Sequence, residues 1–345
     1  MSLRSEIFEQ PEVIDRLLVG QAGVAAELAR EIHRRDIRYA YFAARGTSDN
    51  AARYAQYLWG IQNGLTVALA TPSLFSLYNH PPRLKDALVV GVSQSGKSPD
   101  IVSVLAEGRK QGCLTVAITN APDSPLAAQA DFVLDIQAGV EQAVAATKTY
   151  TSSLMAVAML SQALNPQGVS MEELEKISGW MQFMLEQDEL IERTAQRYRY
   201  MEQCVVLGRG YNYCTAIEWS LKMKEMTYLL AAPYSSADFQ HGPIAVVAQG
   251  YPVLAVVPEG KVYADMLGLL RQLHDDKQAE LLVISNQEEA LRLAKSPLRL
   301  PVDMPEWASP LVSIVGGQLF AYHLTRAKGY DTEAPRGLRK VTETQ

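Results

Sequence analysis

The run Val92-Ser93-Gln94-Ser95-Gly96-Lys97-Ser98-Pro99-Asp100 carries three hydroxyls and a glycine between an apolar strand-like stretch, Ala87 to Val92, and the start of a helix. Ser98 reads as the N-cap and Pro99 as the first helical residue. Gly96 lets backbone N–H groups crowd around an anion, and the hydroxyls of Ser93, Ser95 and Ser98 can donate to its oxygens. The helix N-terminus beyond adds donors and a favourable dipole, so the segment has the make-up of a phosphate cradle. The plainer alternative is an ordinary strand-to-helix turn whose serines only cap the helix. Gly46-Thr47-Ser48 supplies another glycine and two hydroxyls after the strand-like Tyr39 to Ala43. Ligands of open α/β sheets bind at the carboxyl ends of neighbouring strands, and two such loops side by side favour phosphate.

Other segments carry groups able to move protons. In Ala216 to Thr227, helical spacing puts Glu218, Lys222 and Glu225 on one face. Taken alone, that pattern also fits a solvated ladder of ion pairs, worth only a few tenths of a kcal/mol per pair. His241 lies in Phe239-Gln240-His241-Gly242-Pro243, where Gly-Pro fixes the backbone just after the imidazole. A loop imidazole of near-neutral pKa can donate to and accept from a ring oxygen and a hydroxyl, as opening a sugar hemiacetal demands. The other histidines, His33, His80, His274 and His323, sit in charged, Pro-rich or amphipathic surroundings and read as structural or solvated. Along Ala138 to Thr149, small residues permit close backbone approach, and Glu141 and Lys148 can orient or neutralise a ligand; equally, they can pack a helix on the sheet.

The elements that must position these groups recur. Strand-like runs at Tyr39–Ala43, Ala87–Val92, Thr115–Ile118 and Phe132–Ile136 are followed by Cys204–Leu207, Val253–Val257, Leu281–Ile284 and Leu298–Val302, each with room for a helix between. Short, almost wholly apolar strands separated by helices imply parallel sheets covered on both faces, hence two doubly wound α/β domains. Arg45-Gly46 matches Arg209-Gly210, Gly96-Lys97 matches Gly260-Lys261, and Asn120 matches Asn286, which implies an internal duplication. The second copy has Pro258-Glu259-Gly260 in place of the cradle; the proline lacks an N–H and the glutamate is expected to repel phosphate. Ser170-Met171-Glu172-Glu173 forms a capping box opening a long connecting helix toward Met201. The expected organisation is a helical segment over 1–30, a first domain over 31–168, a connecting helix over 169–200, a second domain over 201–330 and an irregular tail over 331–345. With 345 residues, 48% of them hydrophobic, two cores are readily built. A formal charge of −6 with scattered Lys and Arg argues against a nucleic-acid face. Cys113, Cys204 and Cys214 make no metal or CxxC spacing, which suits a reducing compartment. No run is apolar enough to span a bilayer and no signal-peptide pattern opens the chain, so a cytoplasmic protein is expected; Met1-Ser2-Leu3 reads as a cloning remnant.

The loops resemble the sugar isomerase (SIS) domain, and the whole chain, from Glu6-Ile7-Phe8-Glu9-Gln10-Pro11 to Pro335-Arg336-Gly337-Leu338-Arg339-Lys340, is similar to the two-SIS-domain isomerase part of glucosamine-6-phosphate synthase. Only five residues precede that opening, so no glutaminase is expected. The resemblance implies stand-alone relatives that deaminate or isomerise amino-sugar phosphates or cleave fructosamine phosphates. It implies phosphate and substrate binding by Gly46, Thr47, Ser48, Ser93, Gln94, Ser95, Ser98, Val144, Ala146 and Lys222. Glu225 matches the family's carboxylate base, which moves a proton between C1 and C2 of the open-chain sugar. His241 matches the ring-opening histidine that reaches a neighbouring subunit's site, implying a homodimer. Lys340 matches the lysine that forms an imine with the substrate ketone; as a nucleophile it needs burial or nearby cations, for which Arg336, Arg339 or Lys222 are candidates. Gly337 and Arg339 replace family Asn and Ala, Lys97 replaces the usual Glu, and Ala146 stands where the synthase has a ligand-binding serine. The expected activity is isomerising deamination of glucosamine 6-phosphate to fructose 6-phosphate and ammonia, without metal or other cofactor. The alternatives are a fructosamine-6-phosphate deglycase, an aldose-ketose isomerase, or a non-catalytic sugar-phosphate sensor.

Overall fold

The computed structural model describes residues 2–340. The chain falls into two compact units, each built on a five-stranded parallel sheet. The N-terminal unit takes Glu9–Gln142 and Ala146–Lys176 with the segment from Arg339; the C-terminal unit takes Ile177–Leu338 with Ala143–Ala145 and the segment ending at Phe8.

The N-terminal unit holds α2 (Gln10–Arg34; α1 is Leu3–Phe8), β1 (Tyr39–Ala43), α3 (Thr47–Asn63), β2 (Thr66–Leu69), α4 (Ser73–Ser76), β3 (Ala87–Val92), α5 (Pro99–Lys110), β4 (Leu114–Thr119), β5 (Phe132–Asp135) and α6 (Lys148–Leu164). Its strands run in the order β2-β1-β3-β4-β5, so the winding reverses between β1 and β3, which pair directly from Tyr39↔Ala87 to Ala43↔Gly91. Every residue of β3 and β4 is buried, as expected of central strands covered by helices on both faces. One side of the core joins Val89, Ile101, Val104, Leu105 and Leu126. On the other, α6 packs on α2 and α3 and buries all its residues from Lys148 to Ser161; a helix apolar around most of its circumference belongs inside a domain.

The C-terminal unit repeats the plan. Helix α7 (Met171–Leu185) leads to α8 (Asp188–Arg197), β6 (Gln203–Gly208), α9 (Tyr213–Thr227), β7 (Leu230–Ser235), α10 (Ser236–Gln240), β8 (Pro252–Val256), α11 (Tyr263–Asp275), β9 (Glu280–Ser285), α12 (Glu288–Leu293), β10 (Ser296–Arg299) and α13 (Ser309–Ala327). The strand order β7-β6-β8-β9-β10 is that of the first sheet.

Seven of the eight strands read from the sequence form to within a residue at each end; the eighth, read as Leu298–Val302, forms instead as Ser296–Arg299, the chain leaving the sheet ahead of Pro301, which has no N–H for the ladder. The two additional ones, β2 and β7, are edge strands and carry weaker patterns: four residues in β2, and Pro233 with a 74% exposed Leu230 in β7. The expected capping box is present, with Ser170 N–H donating to Glu173 Oε2 (3.1 Å) and Glu173 N–H to Ser170 Oγ (3.2 Å). The stretch read as one connecting helix is two, α7 and α8, separated at Glu186 and Gln187. The tail has no regular secondary structure through Lys340, and residues 341–345 lie outside the described residues. Leu3, grouped above with a cloning remnant, is a fully buried residue of α1.

Candidate functional site

The cradle sits where the winding reverses. Gly96 has φ +62°, and a Cβ there would lie 2.0 Å from Ser124 Oγ, so both backbone and space require glycine. Its N–H donates to Ser93 Oγ at 3.2 Å, and Lys97 N–H to Ser95 Oγ at 3.4 Å, which curls the loop around its own hydroxyls. Ser98 is the N-cap of α5 as expected, but its hydroxyl makes no capping hydrogen bond. The reading in which that serine only caps the helix therefore fails. Ser93 is buried, Gln94, Ser95 and Ser98 are half-buried, and Lys97 points to solvent.

Gly46, with φ +54°, precedes Thr47 and Ser48 at the start of α3, on the strand next to the cradle. Arg45 Nε donates to Asp100 Oδ2 at 2.8 Å, and the fully buried Asp100 also accepts the N–H of Ile101. This pair fastens the two loops together. Neither residue was singled out for that role, although Arg45 recurs as Arg209, whose guanidinium meets Asp265 at 2.5 Å in the second copy. The duplication extends to Asn120, which bridges Ala138 N–H and Gly139 O, and Asn286, which bridges Glu259 N–H and Pro301 O.

In the segment 138–149, Glu141 is a buried hub. Its Oε1 accepts the N–H groups of Thr147 (2.9 Å) and Thr149 (3.1 Å), and its Oε2 accepts Thr149 Oγ1 (2.8 Å) and Lys340 Nζ (2.6 Å). Lys340 thus faces a carboxylate. Two of the three cationic neighbours expected for it are engaged elsewhere, with Arg336 stacked 4.1 Å over the Tyr228 ring and Lys222 paired with two glutamates. Lys148 is buried and bound to Glu9 at 2.6 Å, which removes it from consideration as a ligand for an anion. Val144 and Ala146 are half-buried. The backbone N–H of Ala143, just before Val144, reaches both carboxylate oxygens of the fully buried Glu6 at 3.3 Å.

Helix α9 settles between its two readings. Glu218 and Lys222 are 0% and 1% exposed in their side chains, so the face is an interior one rather than a solvated ladder. Lys222 Nζ lies 2.7 Å from Glu225 Oε2 and 3.4 Å from Glu218 Oε1. Burial works against the ammonium, yet the two carboxylates outweigh it and raise the Lys222 pKa above its ordinary value. The two carboxylates thus favour the protonated form of Lys222. Glu225, with a side chain 24% exposed, keeps access to solvent. His241 follows α10 with an exposed imidazole, its backbone held by N–H donation to Asp238 O at 3.1 Å. Among the remaining histidines, His323 is buried with Nε2 2.7 Å from Asp188. All three cysteines are free and buried, and burial pushes the Cys204 thiol up to about 12.

Two sheets with one winding order, and loop fasteners repeated at equivalent strand ends, define a duplicated doubly wound α/β protein. The SIS domain matches residues 35–163 and again 199–327, and the chain belongs to that family, with two copies of the domain. Glutamine–fructose-6-phosphate aminotransferase (isomerizing) of Aquifex aeolicus is 31% identical over 342 residues, 99% of this chain; the chain spans 57% of that relative's length. The C-terminal domain of glucosamine-fructose-6-phosphate aminotransferase from Francisella tularensis superposes with a TM-score of 0.87 at 28% identity, covering 96% of this chain and 98% of that one. Glucosamine-6-phosphate deaminase from Thermotoga maritima shares the fold over the full length of both chains, with a TM-score of 0.80 at 21% identity. Among the described residues, no helix is long and apolar enough to cross a membrane.

Proposed function

We propose that the protein is a phosphosugar isomerase acting as a deaminase, converting glucosamine 6-phosphate and water to fructose 6-phosphate and ammonia in the cytoplasm as a homodimer. The observation that carries this reading is Glu225: a partly exposed carboxylate with one oxygen held 2.7 Å from the buried Lys222 ammonium. That is a base of fixed orientation, as proton transfer between adjacent carbons requires.

In this reading Gly46, Thr47, Ser48, Ser93, Gln94, Ser95 and Ser98 bind the phosphate, with Val144 and Ala146 lining the sugar and Lys222 holding Glu225. Binding energy from the phosphate orients the distant reacting carbons. His241, contributed by the neighbouring subunit, moves the proton that opens the ring to the aldehyde. Glu225 takes the proton from C2 while O1 gains one from solvent, leaving an enolamine, and returns its proton to C1 while the nitrogen gives one up to solvent, leaving the 2-imine. Lys340 adds to C2 and expels ammonia; water then releases the ketone and restores the lysine.

The test is incubation of purified protein with glucosamine 6-phosphate, its N-acetyl form and fructosamine 6-phosphate, with ammonia and fructose 6-phosphate measured by coupled assay. Stoichiometric release of both from glucosamine 6-phosphate is expected. Turnover of fructosamine 6-phosphate alone makes it a deglycase, and hexose 6-phosphate binding without any turnover makes it a sensor.

A further inference from the structure

The loop between β8 and α11 is the second copy of the cradle, and it is not vacant. Lys261 N–H donates to Glu306 Oε2 at 2.8 Å. Gly260 has φ +152°, and a Cβ on it would fall 2.2 Å from the same oxygen. A Cβ on Gly210, in the loop after β6, would lie 3.8 Å from Glu306 Oε1. The carboxylate therefore lies between the two glycine-bearing loops at the point where the second sheet reverses its winding, the counterpart of the place where Gly46 and Gly96 flank the first cradle.

The repulsion expected of Glu259 is not what occupies this loop. Glu259 is turned aside, with its Oε2 accepting Gln287 Nε2 at 3.0 Å. Glu306 comes instead from the short turn before α13, and its backbone is anchored from below. Its carbonyl accepts Ser309 Oγ at 2.6 Å, Ser309 Oγ accepts Asn212 Nδ2 at 2.6 Å, and Asn212 Oδ1 accepts Thr215 Oγ1 and Ser313 Oγ. Asn212, Thr215, Ser309 and Ser313 are all buried, so the turn is held independently of the carboxylate it presents.

We infer that Glu306 is an internal anionic ligand: its carboxylate fills a second oxyanion seat, of the phosphate or carboxylate class, that duplication left in the C-terminal unit. The chain is thereby kept from binding an anion there. Backbone N–H groups and a helix N-terminus favour an anion of any origin, and a tethered one at very high local concentration excludes a free one.

Inorganic phosphate is the probe, with thermal unfolding of wild type, Glu306→Ala and Glu306→Gln read at matched ionic strength against chloride. In Glu306→Ala, 20-fold excess over the dissociation constant is expected to raise Tm by about 2 °C or more beyond any gain in wild type. Glu306→Gln, which keeps the seat filled, is expected to gain no more than wild type. Calorimetry is expected to count one more phosphate per chain in Glu306→Ala than in wild type. Equal counts and equal Tm gains in wild type and Glu306→Ala overturn the inference. Should the alanine variant not fold, Glu306→Ser carries the same comparison, because its short side chain reaches neither glycine. The result is independent of the proposed activity: a wild type that binds no phosphate refutes the first cradle and leaves the difference between variant and wild type to decide this one.

Discussion

Replacing Lys222 by methionine removes one charge from a buried triplet at nearly constant volume. At an effective dielectric of about 20, its attractions to Glu225 at 2.7 Å and Glu218 at 3.4 Å amount to about 6 and about 5 kcal/mol before desolvation. The cost of burying the three ions offsets most of that. What the variant loses is the ammonium's attraction for Glu218, a fully buried carboxylate, and removing one partner of a buried ion pair costs about 3–5 kcal/mol. Glu225 is partly exposed and can recover hydration, which places the expected loss near the lower end, about 3 kcal/mol, or roughly 4 °C in Tm. Chemical denaturation monitored by circular dichroism measures it. The double variant Glu218→Gln/Lys222→Met is expected to recover at least half the loss, because both charges of that buried pair are then removed together. The raised pKa gives the stabilisation a pH sign. It is fully present below the unfolded lysine value of about 10.4 and fades as pH climbs through the higher folded value, so the gap between wild type and variant narrows in strong alkali. A Lys222→Met protein within about 1 kcal/mol of wild type refutes the buried-triplet account.

In the proposed site Ser95 holds the phosphate and stays away from the reacting carbons, so in Ser95→Ala KM for the phosphorylated substrate should rise about 10-fold or more with kcat nearly unchanged, and an unaltered KM takes Ser95 out of the site. Glu225→Gln keeps shape but not basicity, so exchange of the C2 hydrogen with deuterated solvent should fall by about 10²–10⁴, and exchange at the wild-type rate points to another carboxylate. Borohydride should trap fructose 6-phosphate covalently on wild type but not on Lys340→Ala, whose fold by circular dichroism should be intact; an active Lys340→Ala returns that lysine to the role of an ion-pair partner for Glu141.

The fold was largely legible because its strands are unambiguous. Val89 to Val92 and Leu281 to Ile284 are runs that only a sheet covered on both faces buries. The strands that escaped notice, β2 and β7, are edges, where one side is unpaired and the pattern weakens. In the site, the serine-glycine loop was readable because the need for Gly96 is local. The interior position of Glu218 and Lys222 was not, since helical spacing reports that side chains share a face and says nothing of what covers it. Nor was the turning of Lys148 toward Glu9, or of Lys340 toward Glu141, 199 residues apart in the chain. Such pairings are set by the return of distant segments. Glu306 was invisible for the same reason: nothing in Pro305-Glu306-Trp307 announces that its carboxylate closes a loop 45 residues earlier.

The division of the chain into units has a consequence for how the molecule is made. The helix Leu3–Phe8 is made well before the strands it belongs with, the first of which begins at Gln203, and Leu3 N–H meets the Glu333 carboxylate at 3.0 Å. Lys340, in turn, belongs to the half synthesised first. The N-terminal unit therefore completes its native contacts only after the C-terminal unit has been made, and a gene cut near residue 170 would yield two fragments that each lack a piece carried by the other.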